Sequence, residues 1–137
     1  MTYETFDHTA DLGLRVRADD LPTLLAEAAR GLFSIIVGGL ASIQPLKEIQ
    51  IRVAGTAADY LLFDWLSELL YTFESQRLLL CEFDVSVDGA GLSATCRGEP
   101  LDIGRHAPEH EVKAITYHQL TVEQRPDGWF AELIVDI

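Results

Sequence analysis

Three carboxylates stand near the two ends of this 137-residue chain. Asp11 lies in TFDHTADLGL (Thr5 to Leu14), just ahead of an alternating run. Asp136 closes the final apolar run, and Ile137 carries a terminal carboxylate. If the strand that follows Asp11 and the strand that ends at Asp136 are antiparallel neighbours, the start of one meets the end of the other. The three carboxylates then converge, and like charges that close repel unless a cation sits between them. Hard oxygen donors of this kind suit Ca²⁺, Mg²⁺ or Mn²⁺ rather than a thiolate-seeking metal. The plainer alternative is that Asp11 caps a turn and the C-terminus frays. Neither end carries a recognised metal spacing.

Other residues could do chemistry but lack the context for it. His106, His110 and His118 fall within a short span, yet no HxxxH or HExxH pattern sits on a helix, so solvated or hydrogen-bonded imidazoles are expected. His118 alternates with Val112, Ala114 and Thr116, which predicts half-burial. Lys113 and Tyr117 are four apart on an expected strand, so they share a face but stand about 13 Å apart. Lys113 there is placed to pair with an inward carboxylate such as Asp11, or else lies on a solvent edge. Asp64 and Glu68, one turn apart on a helix, read as a solvated face rather than an acid–base pair. Cys81 and Cys96 lack CxxC spacing and are expected as buried reduced thiols, with a disulfide conceivable only if their strands pair directly. No glycine-rich phosphate loop or nucleophile elbow is present.

The elements that must position these residues follow from periodicity. DLGLRVRA alternates as a half-buried strand. A helix follows from Asp20, its N-cap, with Pro22 in the first turn, Leu21, Leu24, Leu25, Ala28, Leu32 and Ile36 on one face, and Gly38-Gly39 as its end. KEIQIRVAG is a second strand. Thr56 is expected to cap a second helix, with Asp59 three residues on and a buried stripe of Ala58, Leu61, Leu62, Trp65, Leu66, Leu69 and Phe73. Leu78 to Asp88 and Leu92 to Arg97 form a hairpin about DGAG, and GEPLDIGRH continues irregularly. Val112 to Gln124 and Trp129 to Val135 flank RPDGW, another hairpin signal. The order β-α-β-α-β-β-β-β predicts one α+β domain over 1–137. Two layers are expected, a mostly antiparallel sheet with two helices on one face.

Composition narrows the function. The chain has 10 basic against 22 acidic residues, a net charge of −12. It therefore lacks the Lys and Arg that phosphate neutralisation requires, so direct nucleic-acid binding is not expected. Acidity favours solubility, cation binding or docking on a basic surface. No apolar run is long enough to span a bilayer, and no basic-then-apolar N-terminal segment marks a signal peptide, so a cytoplasmic protein is expected. Low-complexity tracts, linkers and repeats are absent from the sequence.

DHTADLGL, DWLSELLYTFES, GEPLD with RH close behind, EVKAITYH and the closing LIVDI, in this order across nearly the whole chain, resemble the archease family. The resemblance implies an α+β fold and a role as a protein cofactor rather than an enzyme. The partner would be the GTP-dependent tRNA-splicing RNA ligase. The family's role is to promote guanylylation of the ligase's active-site histidine, permit multiple turnover and broaden nucleotide use. It also implies a divalent cation, calcium first, held by Asp11, Asp136 and the Ile137 carboxylate, and a role in activity for Lys113. His8 and Thr9 then read as the scaffold of the turn beside Asp11. RNA contact is expected only through the ligase. Two other readings stay open: a small metal-dependent phosphoester hydrolase using Asp11 and a histidine, and a general chaperone-like interaction module. Phosphoester turnover would mark the first and suppression of client aggregation the second.

Overall fold

The computed structural model describes residues 1–8 and 11–137. Its elements are β1 (Thr2–His8), β2 (Asp11–Ala18), α1 (Leu21–Val37), β3 (Lys47–Ala54), α2 (Ala58–Gln76), β4 (Leu78–Asp88), β5 (Gly91–Pro100), β6 (Ala114–Ile115), β7 (Thr121–Arg125) and β8 (Gly128–Asp136). The fold is α+β, and the strand pairings are antiparallel. The strands divide between two sheets. One runs β1-β2-β8-β6, with β7 also on β8; the other runs β3-β5-β4.

The element order departs from the sequence expectation in two places. β1 is an additional strand, pairing with β2 from Thr2↔Arg17 to His8↔Asp11. Its sequence shows no apolar alternation, because it contributes only two rings, Tyr3 packed on the core and Phe6 on the opposite face. Phe6 lies flat on Gly13, where a Cβ would come within 2.0 Å of Phe6 Cζ. The second departure is that Val112 to Gln124 is not one strand. β6 and β7 each pair with β8 but are separated by a turn, where Leu120 N–H donates to the Tyr117 carbonyl at 3.1 Å and Gln119 takes φ 60°. β6 ends at Ile115, so strand parity is not carried from Lys113 to Tyr117, and the left-handed Gln119 turns the chain into β7.

The helices are held by their ends and their buried faces. Asp20 Oδ1 accepts from Thr23 N–H at 2.8 Å, and Gly38, at φ 78°, closes α1 by donating to Ser34 O at 2.7 Å. That conformation suits a residue without Cβ. Thr56 does not cap α2. The helix starts after Ala57 with no side-chain cap, and the Asp59 carboxylate turns instead to Tyr60 N–H and the Tyr117 hydroxyl. α1 is buried over most of its surface, Phe33, Ile35 and Val37 joining the expected stripe, because both sheets and α2 pack on it. Trp65 is fully buried on α2 and donates Nε1–H to Leu25 O at 2.9 Å, tying the helices together. Phe83 stacks on Phe33 at 6.0 Å and meets Trp65 edge-on at 6.3 Å, so strand and helices share one core.

The cysteines are free although β4 and β5 do pair. Cys96 stands opposite Phe83, and Cys81 falls in the register shift between Leu80 and Glu82. Burial pushes the Cys96 thiol up to about 12 and also raises Cys81. Neither is poised as a thiolate nucleophile.

Candidate functional site

β2 and β8 are antiparallel neighbours, in register from Asp11↔Asp136 to Ala18↔Trp129. Directly opposed residues of such a pair put their side chains on the same face, with Cβ atoms roughly 5 Å apart. Leu12, Leu14 and Val16 with Val135, Leu133 and Ala131 form the inward face. Asp11 and Asp136 therefore belong to the outward one. β6 lies on the far side of β8: Ala114 pairs with Asp136, and Lys113 N–H donates to the Asp136 carbonyl at 2.7 Å. One transverse row of the sheet thus carries Asp11, Asp136 and the start of β6, with Lys113 one residue before it.

The outward face changes character along the strands. In the row next to the aspartates, Phe6 covers Gly13 beside Ile134, and Ile134 O accepts from Thr116 N–H and Oγ1–H at 3.2 and 3.0 Å. Beyond it, Arg15 stacks on Phe6 at 4.1 Å and pairs with Glu132 at 3.2 Å and Glu4 at 3.8 Å. Arg17 and Arg125 then cover the Phe130 ring at 5.0 and 3.9 Å. The guanidinium groups of this face are committed to rings and glutamates. The nearest one along β2, Arg15, is four residues from Asp11, about 13 Å along the strand.

The donor chemistry of the strand end fits a hard divalent cation: two facing carboxylates, which like charge alone would destabilise. Asp11, Asp136 and Ile137 are each half-buried. Among the described residues no group of three or more His, Cys, Asp or Glu side chains could hold a metal ion. Thr9 and the His8 side chain, expected to scaffold the turn, lie outside the described residues.

Lys113 is exposed, and among the described residues its ammonium makes no ion pair, so it enters the row through its backbone rather than through a salt bridge to Asp11. Its side chain borders a groove of about 230 Å³ lined also by Ser67, Leu70, Tyr71 and Glu74 of α2. The break after β6 also corrects two readings. Lys113 and Tyr117 do not share a strand face, and His118 is exposed rather than half-buried. Tyr117 instead docks on α2, its hydroxyl donating to Asp59 Oδ2 at 2.6 Å. That bond lowers the Asp59 carboxyl below its ordinary range and raises the Tyr117 phenol. Asp64 and Glu68 are solvated, as expected.

A second polar cluster, not singled out by sequence reasoning, is built by GEPLDIGRH. Glu99 is buried and accepts from Gln44 N–H at 2.6 Å, from Arg105 through both oxygens, and from His106 Nε2 at 3.1 Å. Asp102 N–H donates to His106 Nδ1 at 2.9 Å, which leaves Nε2 as the donor to Glu99. The Arg105 hydrogen bonds, with those from Gln44 and His106, outweigh desolvation and hold the Glu99 carboxyl down to about 2. Only the pairing of Glu99 with an Arg-His doublet hinted at this. Every group in it is satisfied, so it works as a clamp between the loop over 101–106 and the segment at Gln44.

Fold and site together define a small acidic α+β domain, two antiparallel sheets around a buried helix with paired carboxylates at one strand end. A family model described as "Archease protein family (MTH1598/TM1083)" matches residues 3–137, and the chain belongs to this family. Protein archease of Methanopyrus kandleri is 39% identical over 141 residues, covering 100% of both chains. Protein archease of Pyrococcus furiosus is 38% identical, with 98% of each chain covered. The solution structure of protein 1598 from Methanobacterium thermoautotrophicum superposes with a TM-score of 0.86 at 29% identity, over 98% of each chain. The crystal structure of an archease from Thermotoga maritima, described as a possible chaperone, shares the fold. Its TM-score is 0.68 at 21% identity, over 98% of this chain and 96% of that one.

Proposed function

We propose that this protein is a cytoplasmic accessory factor without a reaction of its own, which activates the GTP-dependent tRNA-splicing RNA ligase. In this reading it promotes guanylylation of the ligase's active-site histidine, permits multiple turnover and broadens nucleotide use in tRNA splicing and RNA repair. The observation that carries the reading is the register pairing of Asp11 with Asp136, with Lys113 bonded to the same residue, in a chain of the archease family. Asp11, Asp136 and the Ile137 carboxylate would hold a divalent cation, calcium first, with Mg²⁺ or Mn²⁺ as alternatives. When bound, it supplies a fixed positive charge that can engage phosphate oxygens. Lys113 presents an ammonium from the same sheet end, placed to steer a triphosphate towards it. The net charge of −12 disfavours contact with an RNA backbone, so RNA is reached through the ligase.

The test is a ligase guanylylation assay with Asp11→Ala, Asp136→Ala and Lys113→Ala. Loss of stimulation in all three is expected. Unchanged stimulation by both aspartate variants would sink the reading, as would phosphoester turnover by the isolated protein.

A further inference from the structure

The chain exposes an aromatic, acidic stripe along α2 that neither the strand-end row nor the core uses. Tyr60 and Tyr71 are 59% and 64% exposed, and Tyr117 is 40% exposed. At 100° per residue, positions 60, 64, 67, 71 and 74 fall along one side of the helix, with Glu68 on its flank and Tyr60 and Tyr71 roughly 16 Å apart. Tyr117 widens the stripe at its start, stacked on Tyr60 at 5.2 Å, edge-on to Phe63 at 5.7 Å, and locked by its bond to Asp59. The far end opens into the groove that Tyr71 and Glu74 share with Lys113. The stripe therefore reaches Lys113, one residue before the strand-end row.

Its chemistry selects the occupant. No Lys or Arg occurs between Arg52 and Arg77, whereas Asp59, Asp64, Glu68 and Glu74 all lie on α2. Asp64, Glu68 and Glu74 are exposed. A phosphate backbone is repelled by such a face. A second copy of a chain with net charge −12 would oppose like charge to like. Rigid tyrosines interleaved with carboxylates suit Arg and Lys side chains, which stack on the rings and pair with the acids. We propose that the α2 stripe of Tyr60, Tyr71, Glu68 and Glu74, extended by Tyr117, is the docking surface for a Lys/Arg-bearing surface of the partner protein. It sets affinity and aims the strand-end row. This rests on the ligase reading above and adds to it where the ligase is gripped.

The experiment measures binding of the full-length protein to purified ligase at low and high salt, alongside stimulation as a function of added protein. Two variants are used, Tyr60→Ala/Tyr71→Ala and Glu68→Lys/Glu74→Lys, all at exposed positions. Each should raise Kd roughly tenfold or more, as loss of interface anchors does, and raise the half-saturating concentration for stimulation. Wild-type binding should weaken with salt, a dependence reduced in the charge-reversed variant. Asp11→Ala should instead lower the stimulation reached at saturation. If wild type binds and stimulates while both variants bind as tightly as it does, the stripe is not the docking surface and the ligase reading stands. If wild type neither binds nor stimulates, both fall. Self-association of wild type that these variants abolish would overturn the proposal in favour of a second copy.

Discussion

Glu99 sits buried among donors from Arg105, His106 and Gln44, whereas Asp11 and Asp136 face each other across two strands at the edge of solvent. Both places are acidic. Glu99 gains a guanidinium, an imidazole N–H and a backbone N–H, so its charge is stabilised in place and the carboxyl is held down to about 2. The strand-end aspartates are set by register, which puts like charge opposite like charge. A charge satisfied within the fold serves stability.

The sharpest way to break this comparison is to remove the buried charge. Glu99→Ala strands His106 Nε2, Gln44 N–H and Arg105 at once. The expected drop in Tm is about 10 °C, since one uncompensated buried ion partner outweighs most surface changes. Calorimetry on wild type and variant checks it. A variant that melts with wild type would remove the distinction between the two places.

Calcium probes the other side. A cation bound only by the folded state stabilises it by about 2.7 kcal/mol at a hundredfold excess over Kd. Calcium titration followed by thermal melting should show that increment in wild type and lose it in Asp11→Asn/Asp136→Asn. No response in wild type would remove the cation from the strand end.

Acid titration probes the buried place directly. The Glu99 carboxyl is lowered from 4.5 to about 2 in the folded protein, so the unfolded chain binds its proton first as pH falls. Its contribution is complete above 4.5, and it is lost progressively as pH drops from there through about 2. The Tm difference between wild type and Glu99→Gln should narrow over that window. A difference independent of pH between 5 and 2 would mean that the carboxylate charge is not what the clamp uses.

The smallest effect is expected from Asp136→Asn without added cation. Removing one of two facing like charges should leave stability within about 0.5 kcal/mol of wild type, on the stabilising side. Chemical denaturation in chelator measures it. A clear loss of stability would make Asp136 a structural residue like Glu99.

The two helices, the Asp20 cap, the Gly38 stop and both hairpin turns were legible in the sequence, because each is written in local spacing and in residues with particular backbone preferences. The meeting of Asp11 with Asp136 could be posed from the sequence, since alternation places each at a strand end, but only as a condition on which strands are neighbours. β1 carries no periodic signal because it is held by two isolated rings, Tyr3 on the core and Phe6 on Gly13 of another strand. The Thr56 cap was misplaced because Asp59 bonds Tyr117, 58 residues away, instead of serving the helix start. The burial of Glu99 had no periodic signal. Strand parity does not place it inside; a loop folding over it does.

The sequence by itself determined the class, the helical faces, the negative charge and the family, for these depend on residue types and short-range order. Tertiary structure decided the rest. β3 and β4 join β5 while β2, β6 and β7 join β8. Glu99 is neutralised inside, and Asp11 is brought opposite Asp136. Each of these depends on pairings between residues far apart in the chain, whose hydrogen bonds form only once the strands have chosen neighbours. That choice is made by the shared core around α1, not by any one segment.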